Sequence, residues 1–139
     1  MMDTFAERTS ELLEELSFFE DWTDRYEYVI GLGKKMEILP EDQCTDETLI
    51  KGCQSHVWLD SYTEGDKVYY LADSDSLITK GMIAMFIRVL SGLSADEVLT
   101  ADFGFIDKTG LKEHLAPSRA NALSLMATQM KQRALNSSK

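Results

Sequence analysis

Sulfur and imidazole are scarce in this chain: two cysteines and two histidines among 139 residues. Cys44 and Cys53 are too few and too close for a disulfide framework, and they form no C-x-x-C pair. With His56 and His114 they are the only soft metal ligands, and structural zinc usually takes four in paired spacing. Neither a zinc site nor a disulfide oxidoreductase is expected. A reducing cytoplasm is expected, where a thiol stays available for chemistry. Positive charge is also scarce, with 14 Lys and Arg against 24 Asp and Glu, a net charge of -10. Nucleic-acid binding leaves a basic footprint, so this balance excludes it. An acidic surface suits solubility, or a partner with a basic rim. No apolar run has the length of a membrane span. The N-terminus has neither a basic n-region nor an apolar h-region, so no signal peptide is expected. Repeats, low-complexity tracts and linkers are absent, and 139 residues suffice for one domain over 1–139, with 136–139 a fraying polar tail.

The periodicities that are present describe an α+β chain. Thr4 to Glu7 matches a capping box, and Phe5, Leu12, Leu13, Leu16 and Phe19 recur at helical spacing, which predicts a helix to about Phe19. Asp21 to Asp24 can cap a second helix with a stripe of Trp22, Tyr26, Val29 and Ile30; Gly33, Lys34 and Lys35 read as its end. A loop follows around Pro40. Thr48–Lys51 reads as a short edge strand, and Val57–Thr63 and Lys67–Leu71 as two more joined by a turn at Glu64-Gly65-Asp66. Together they form a three-stranded antiparallel meander, with Gly52-Cys53 turning the first strand into the second. Asp73 to Ser76 is dense in cap residues, and Leu77–Leu90 behind it is apolar on most sides, the pattern of a central buried helix. Gly92 can stop it. Ser94 to Glu97 is another capping box, a further short helix reaches Gly110, and Pro117 opens a last helix with Leu123, Leu125, Met126 and Met130 inward.

Within Lys51-Gly52-Cys53-Gln54-Ser55-His56-Val57-Trp58, a cysteine directly after glycine suits a thiol at a loop tip. Taken alone, a lone cysteine is more often a small buried hydrophobe. Three ordered blocks change that reading. They are Gly52-Cys53-Gln54-Ser55 with Val57-Trp58; Ala72-Asp73-Ser74-Asp75 with Ile78 and Lys80-Gly81; and Leu115 with Pro117-Ser118-Arg119 and Asn121. Trp22, Arg25-Tyr26, Leu32-Gly33 and Leu39-Pro40 agree more weakly. Over nearly its whole length the chain resembles the SufE-type (SufE/CsdE) sulfur acceptors that serve cysteine desulfurases. Ala122 departs from the glycine frequent in that family, a mild change inside a helix.

The resemblance implies a SufE/IscU-like fold, an antiparallel sheet with helices packed on it, and Cys53 as the sulfur acceptor. It implies a partner, a SufS- or CsdA-like cysteine desulfurase that holds the pyridoxal phosphate, with no cofactor or metal in this chain. It further implies a downstream iron–sulfur cluster scaffold and admits a homodimer. In that setting the chain is a persulfide carrier and activator, not a stand-alone enzyme. Lys51, Gly52, Gln54, Ser55, His56, Asp73, Asp75 and Arg119 are the loop or partner-contact candidates. Gln54 and Ser55 can pin the loop backbone. Asp73 and Asp75 read first as helix caps. Arg119 either pairs a carboxylate or faces the desulfurase. In a strand His56 faces away from Cys53, since their separation is odd, and Lys51 lies across the turn. Activation of the thiol is therefore assigned to the partner. A cluster scaffold, or a regulatory module that carries no sulfur, are the alternatives; Cys44, in a polar loop, has no assigned role.

Overall fold

A computed structural model describes residues 4–36, 38–50, 56–101 and 117–137, the last stretch with side chains over 123–136. Helix α1 spans Phe5–Ser17. The Thr4 hydroxyl accepts the Glu7 amide at 3.1 Å and donates to the Glu7 carboxylate at 2.9 Å, so the predicted cap forms. Helix α2 spans Trp22–Lys35 and starts on Asp21, whose carboxylate accepts the Thr23 amide. Strands β1 (Val57–Glu64) and β2 (Lys67–Ser74) form a hairpin, followed by α3 (Leu77–Leu90), β3 (Leu93–Ser94), α4 (Ala95–Thr100) and α5 (Pro117–Ser137). The sheet is antiparallel in the order β1-β2-β3, so the expected α+β architecture with three strands is observed. Among the described residues no helix is long and apolar enough to cross a membrane.

The hairpin follows from its turn. Gly65 adopts φ +63°, a value that favours glycine, and leaves Glu64 paired with Lys67. From there the ladder runs without a bulge to Val57↔Ser74. Val57 and Leu59 on β1, and Val68, Tyr70 and Ala72 on β2, bury their side chains on one face. On the other face Tyr62 and Tyr69, directly paired, stack with ring centroids 5.3 Å apart.

The third strand is not the one expected. Thr48–Ile50 does pair with β1, through Ile50 N–H to the Val57 carbonyl and Leu59 N–H to the Thr48 carbonyl, both at 2.8 Å. It amounts to an isolated bridge, Leu49↔Trp58. A tight turn precedes it, in which the Thr48 hydroxyl donates to the Gln43 carbonyl at 2.8 Å, so no strand extends upstream. The third strand is instead Leu93–Ser94, which returns after α3 to Lys67 and Val68. Gly92, at φ +88°, turns the chain there and donates to the Val68 carbonyl at 2.7 Å. Two residues, one of them polar, carry no strand periodicity that a sequence could display.

Helix α3 is the centre of the core. It buries Met82, Ile83, Met85, Phe86, Val89 and Leu90 and packs against α1, α2, α5 and β2. Its tightest contact is with α2, where a Cβ on Gly81 would lie 2.3 Å from the Val29 carbonyl oxygen and a Cβ on Gly33 2.8 Å from the Gly81 nitrogen. Helix α2 ends at Lys35, so Gly33 with Lys34 and Lys35 forms its last turn as expected, and Gly33 also gives α3 room to pass. Arg88 on α3 joins the three helices on one side. It pairs with Glu15 and with Glu11 of α1, while the Tyr28 hydroxyl of α2 also donates to Glu15. Arg8 of α1 donates to the Ser91 carbonyl at 2.6 Å, satisfying the end of α3.

Further expectations are corrected. The cap of α3 is Ser76, whose hydroxyl accepts the Thr79 amide, and not Asp73 or Asp75, which have other partners. Helix α1 ends at Ser17, two residues before Phe19, and α5 is helical through Ser137, with Met130 and Ala134 buried in the core. The Ser94–Glu97 capping box and the Pro117 helix start are observed. The short helix expected to reach Gly110 lies outside the described residues.

Two measurements test this packing. Gly81→Ala is expected to destabilise the protein by about 2–3 kcal/mol in chemical denaturation, because backbone and not a flexible side chain blocks the new methyl. Gly31→Ala, which meets nothing within 4 Å, is expected to be neutral or slightly stabilising. The Glu15 carboxyl is held at about 2, chiefly by hydrogen bonds from Arg88. Its folded value lies below the unfolded one, so the stabilisation is complete above about pH 4.5 and is lost as pH falls towards 2. Glu15→Gln is expected to cost about 1–2 kcal/mol at pH 7, with solvent screening allowed for. That gap from the parent protein should shrink between pH 4.5 and 2 in a series of melting curves. A gap independent of pH would contradict the role given to the carboxylate.

Candidate functional site

The hairpin register extends one rung past the named strands. Paired residues have numbers that add to 131, as in Glu64↔Lys67 and Val57↔Ser74, so the next pair is His56 and Asp75. Asp75 N–H donates to the His56 carbonyl at 3.3 Å. His56 N–H donates to Asp75 Oδ1 at 3.0 Å, and His56 Nδ1 lies 2.7 Å from Asp75 Oδ2. The Ser74 hydroxyl donates to the same His56 carbonyl at 2.8 Å. The imidazole also stacks on Trp58, with centroids 5.5 Å apart and planes within 9°. This pair stays open to solvent: the side chains are 62% and 51% exposed. The hydrogen bond from His56 is the main cause that holds the Asp75 carboxyl below the usual carboxylate range.

On the other strand the chain is held equally firmly, by the Ile50 and Leu59 amides described above, and Ile50 is buried. The two described residues that flank positions 51–55 are thus both tied to the same end of the sheet. Cys53 itself, with Lys51, Gly52, Gln54 and Ser55, lies outside the described residues. So does the side chain of Arg119, whose backbone is in the first turn of α5.

Asp73 stands opposite Trp58, two rungs along the ladder, and pairs with Lys80 of α3 at 3.2 Å. It holds the start of α3 against β2 without capping it. Nearby is the second thiol. Leu39 N–H donates to the Ala72 carbonyl, and the half-buried Cys44 thiol donates weakly to the Leu39 carbonyl at 3.8 Å. Burial first, then the carboxylates of Asp73, Glu41 and Asp42, push this thiol up. Cys44 is consequently a poor nucleophile at neutral pH. Leu77, inside the apolar run of α3, is 60% exposed two residues after Asp75 and gives this end of the molecule an apolar patch.

Of the candidates read from sequence, the structure brings His56, Asp73 and Asp75 to one end of the sheet. The coupling of His56 to Asp75 escaped sequence reasoning, which treated each by itself. The signal was available, since a two-residue turn at Gly65-Asp66 dictates the pairing of residues 19 apart along the chain. Among the described residues no three His, Cys, Asp or Glu side chains gather as a metal site.

Comparison with known proteins agrees with this architecture. The model of the SufE family, described as an Fe-S metabolism associated domain, matches residues 10–134. A SufE-like protein of Rhizobium etli is 36% identical over 135 residues, covering 94% of this chain and 91% of that one. The cysteine desulfuration protein SufE of Wigglesworthia glossinidia brevipalpis is 33% identical over 135 residues, covering 96% and 93%. The solution structure of a hypothetical protein from Thermus thermophilus superposes with a TM-score of 0.77 over 93% of this chain and 94% of that one, at 19% identity, and so shares the fold. The chain belongs to the SufE family.

Proposed function

We propose that the protein is a sulfur acceptor and activator for a pyridoxal-phosphate-dependent cysteine desulfurase, receiving a persulfide on Cys53 and relaying it to an iron–sulfur scaffold. The observation that carries this reading is the fixing of both flanks of the Cys53 segment. Ile50 is held to Val57 and His56 to Asp75, so the two described residues on either side of 51–55 are tied to the same end of the sheet. Cys53 falls between these two anchors in sequence. Family membership, and the relative named a cysteine desulfuration protein, support the same reading.

The reaction is an exchange at sulfur. The Cys53 thiol gives up its proton, the thiolate attacks the outer sulfur of the donor's persulfide, a new S–S bond forms as the old one breaks, and the donor leaves as a thiolate that takes up a proton. Nothing is oxidised or reduced overall. Pyridoxal phosphate belongs to the desulfurase, which makes the persulfide from free cysteine. The acidic surface, net charge -10, suits a docking partner with a basic rim, and the cytoplasm supplies the reducing setting in which the thiol stays free.

Mass spectrometry after incubation with a desulfurase and cysteine tests the reading. The protein is expected to gain one sulfur atom, located in the tryptic peptide 52–67 that contains Cys53 and not Cys44. Cys53→Ser should abolish the gain with an unchanged melting temperature, and Cys44→Ser should retain it. Full stimulation of the desulfurase by Cys53→Ala, with no sulfur gained by the parent protein, would replace the acceptor by a regulatory module.

A further inference from the structure

We propose that the outer face of the β1–β2 hairpin, centred on Tyr62 and Tyr69, is an isologous contact for a second copy of this chain. The inference goes beyond the acceptor reading and does not depend on it.

Alternate residues of a strand share one face of the sheet. Val57, Leu59, Val68, Tyr70 and Ala72 point into the core, where α3 and α5 pack. The opposite face carries Trp58, Tyr62, Tyr69 and Leu71, an apolar strip on neighbouring rungs. Tyr62 is 46% exposed, and its ring stacks on Tyr69 with planes within 16°. Aromatic side chains of this kind are enriched at the centre of protein interfaces, and the stack already holds these two in place.

Each acidic residue of that face is matched by a basic one. Asp75 is bonded to His56, Asp73 to Lys80 at 3.2 Å and Asp60 to Arg133 at 3.1 Å. Glu64 shares the rung nearest the turn with Lys67. Both are exposed, and among the described residues neither is in an ion pair. Asp66 of the turn lines a cleft with Val68 and Asp96 instead. The whole chain has a net charge of -10, so this compensation is local. Charges are screened beyond about 8 Å at physiological salt, so the groups at a contact decide whether two acidic proteins can meet there. A basic partner is drawn to the uncompensated acidic surface elsewhere. A compensated aromatic strip fits a partner that is acidic overall and matched in charge at the contact, which a copy of this chain is.

The edges of the hairpin are largely occupied, which directs association to the face. On β1 the Leu59 amide is held by Thr48 and the Ser61 amide by the Asp60 carboxylate at 2.8 Å. On β2 the Val68 and Ala72 carbonyls accept from Gly92 and Leu39, and the Tyr70 amide donates to the Ser91 hydroxyl. Occupied edges leave little room for an added strand. A two-fold axis along the hairpin, midway between β1 and β2, lays Tyr62 of one copy over Tyr69 of the other. The same rotation sets Glu64 over Lys67 twice, so the one rung whose charges are unpaired within the chain is paired between copies. An axis across the strands would set Glu64 against Asp60, like charge against like.

Sedimentation velocity of the full chain under reducing conditions, from about 5 to 500 μM, tests the proposal. The parent protein is expected to pass from monomer to dimer in that range. Tyr62→Glu should stay monomeric with an unchanged melting temperature, because Tyr62 is exposed in the single copy. Glu64→Lys and Lys67→Glu should each weaken the dimer about tenfold or more, since each sets like charges together. Mixed in equal amounts, these two variants should associate within about threefold of the parent, because each then supplies the charge the other lacks. Loss of fold in either variant would not produce that mutual rescue. A parent that stays monomeric throughout leaves the face to another protein or to water and overturns the proposal. So does a Tyr62→Glu variant that dimerises like the parent, or a mixture no more associated than its two components. Should Tyr62→Glu not fold, the two charge reversals decide the matter. None of these outcomes bears on sulfur uptake by Cys53.

Discussion

The carbonyl of Val29 lies where a side chain at position 81 would have to begin. That backbone contact between α2 and α3 sets how deep α3 sits. Met82, Met85, Phe86 and Val89 reach the sheet and the other helices only because α3 is pressed this close. The N-terminal end of α3 then falls directly behind β2, with Ser76 as its cap. Asp75 is left between strand and helix, facing His56. The hairpin register pairs Asp75 with His56, and the close approach of Gly33 and Gly81 sets where the helix that follows Asp75 lies.

Stability and chemistry occupy opposite regions of charge. Glu15, Arg88 and Tyr28 form a part-buried network that joins three helices, and the carboxyl is pulled down to about 2 by that setting. His56 and Asp75 form a solvent-open pair at the end of the sheet. An open pair contributes little to folding. What it does is hold the His56 ring in one orientation, between the Asp75 carboxylate and the face of Trp58. The two thiols differ in the same physical way. Burial and carboxylates suppress Cys44, whereas the segment with Cys53 is followed by His56, which Asp75 holds at the end of the sheet.

Much of the fold was legible because helix signals are local. The Thr4 cap, the Ser94–Glu97 box and the Leu77–Leu90 run are read from residues within one or two turns of each other. The Gly65 turn was equally local and implied the whole β1–β2 register. The motif around Cys53 and the blocks that follow it pointed to the SufE family without any coordinates.

Tertiary structure decided the rest, wherever a residue's role depends on a partner distant in sequence. Gly33 with Lys34 and Lys35 read as the end of α2, which does end at Lys35; the fold adds that Gly81 of α3 passes so close that position 33 has no room for a side chain. Asp73 and Asp75 read as caps because Asp favours that position; Lys80 and His56 claim their carboxylates instead. Leu93–Ser94 became the third strand only because α3 delivers it to the free edge of β2. The sequence alone determined that a single glycine-preceded cysteine stands in a SufE-type motif. Only the fold, by pairing His56 with Asp75 across the hairpin, tied the histidine that follows the cysteine segment to a carboxylate on the neighbouring strand, because that contact depends on strand register and not on nearness in sequence.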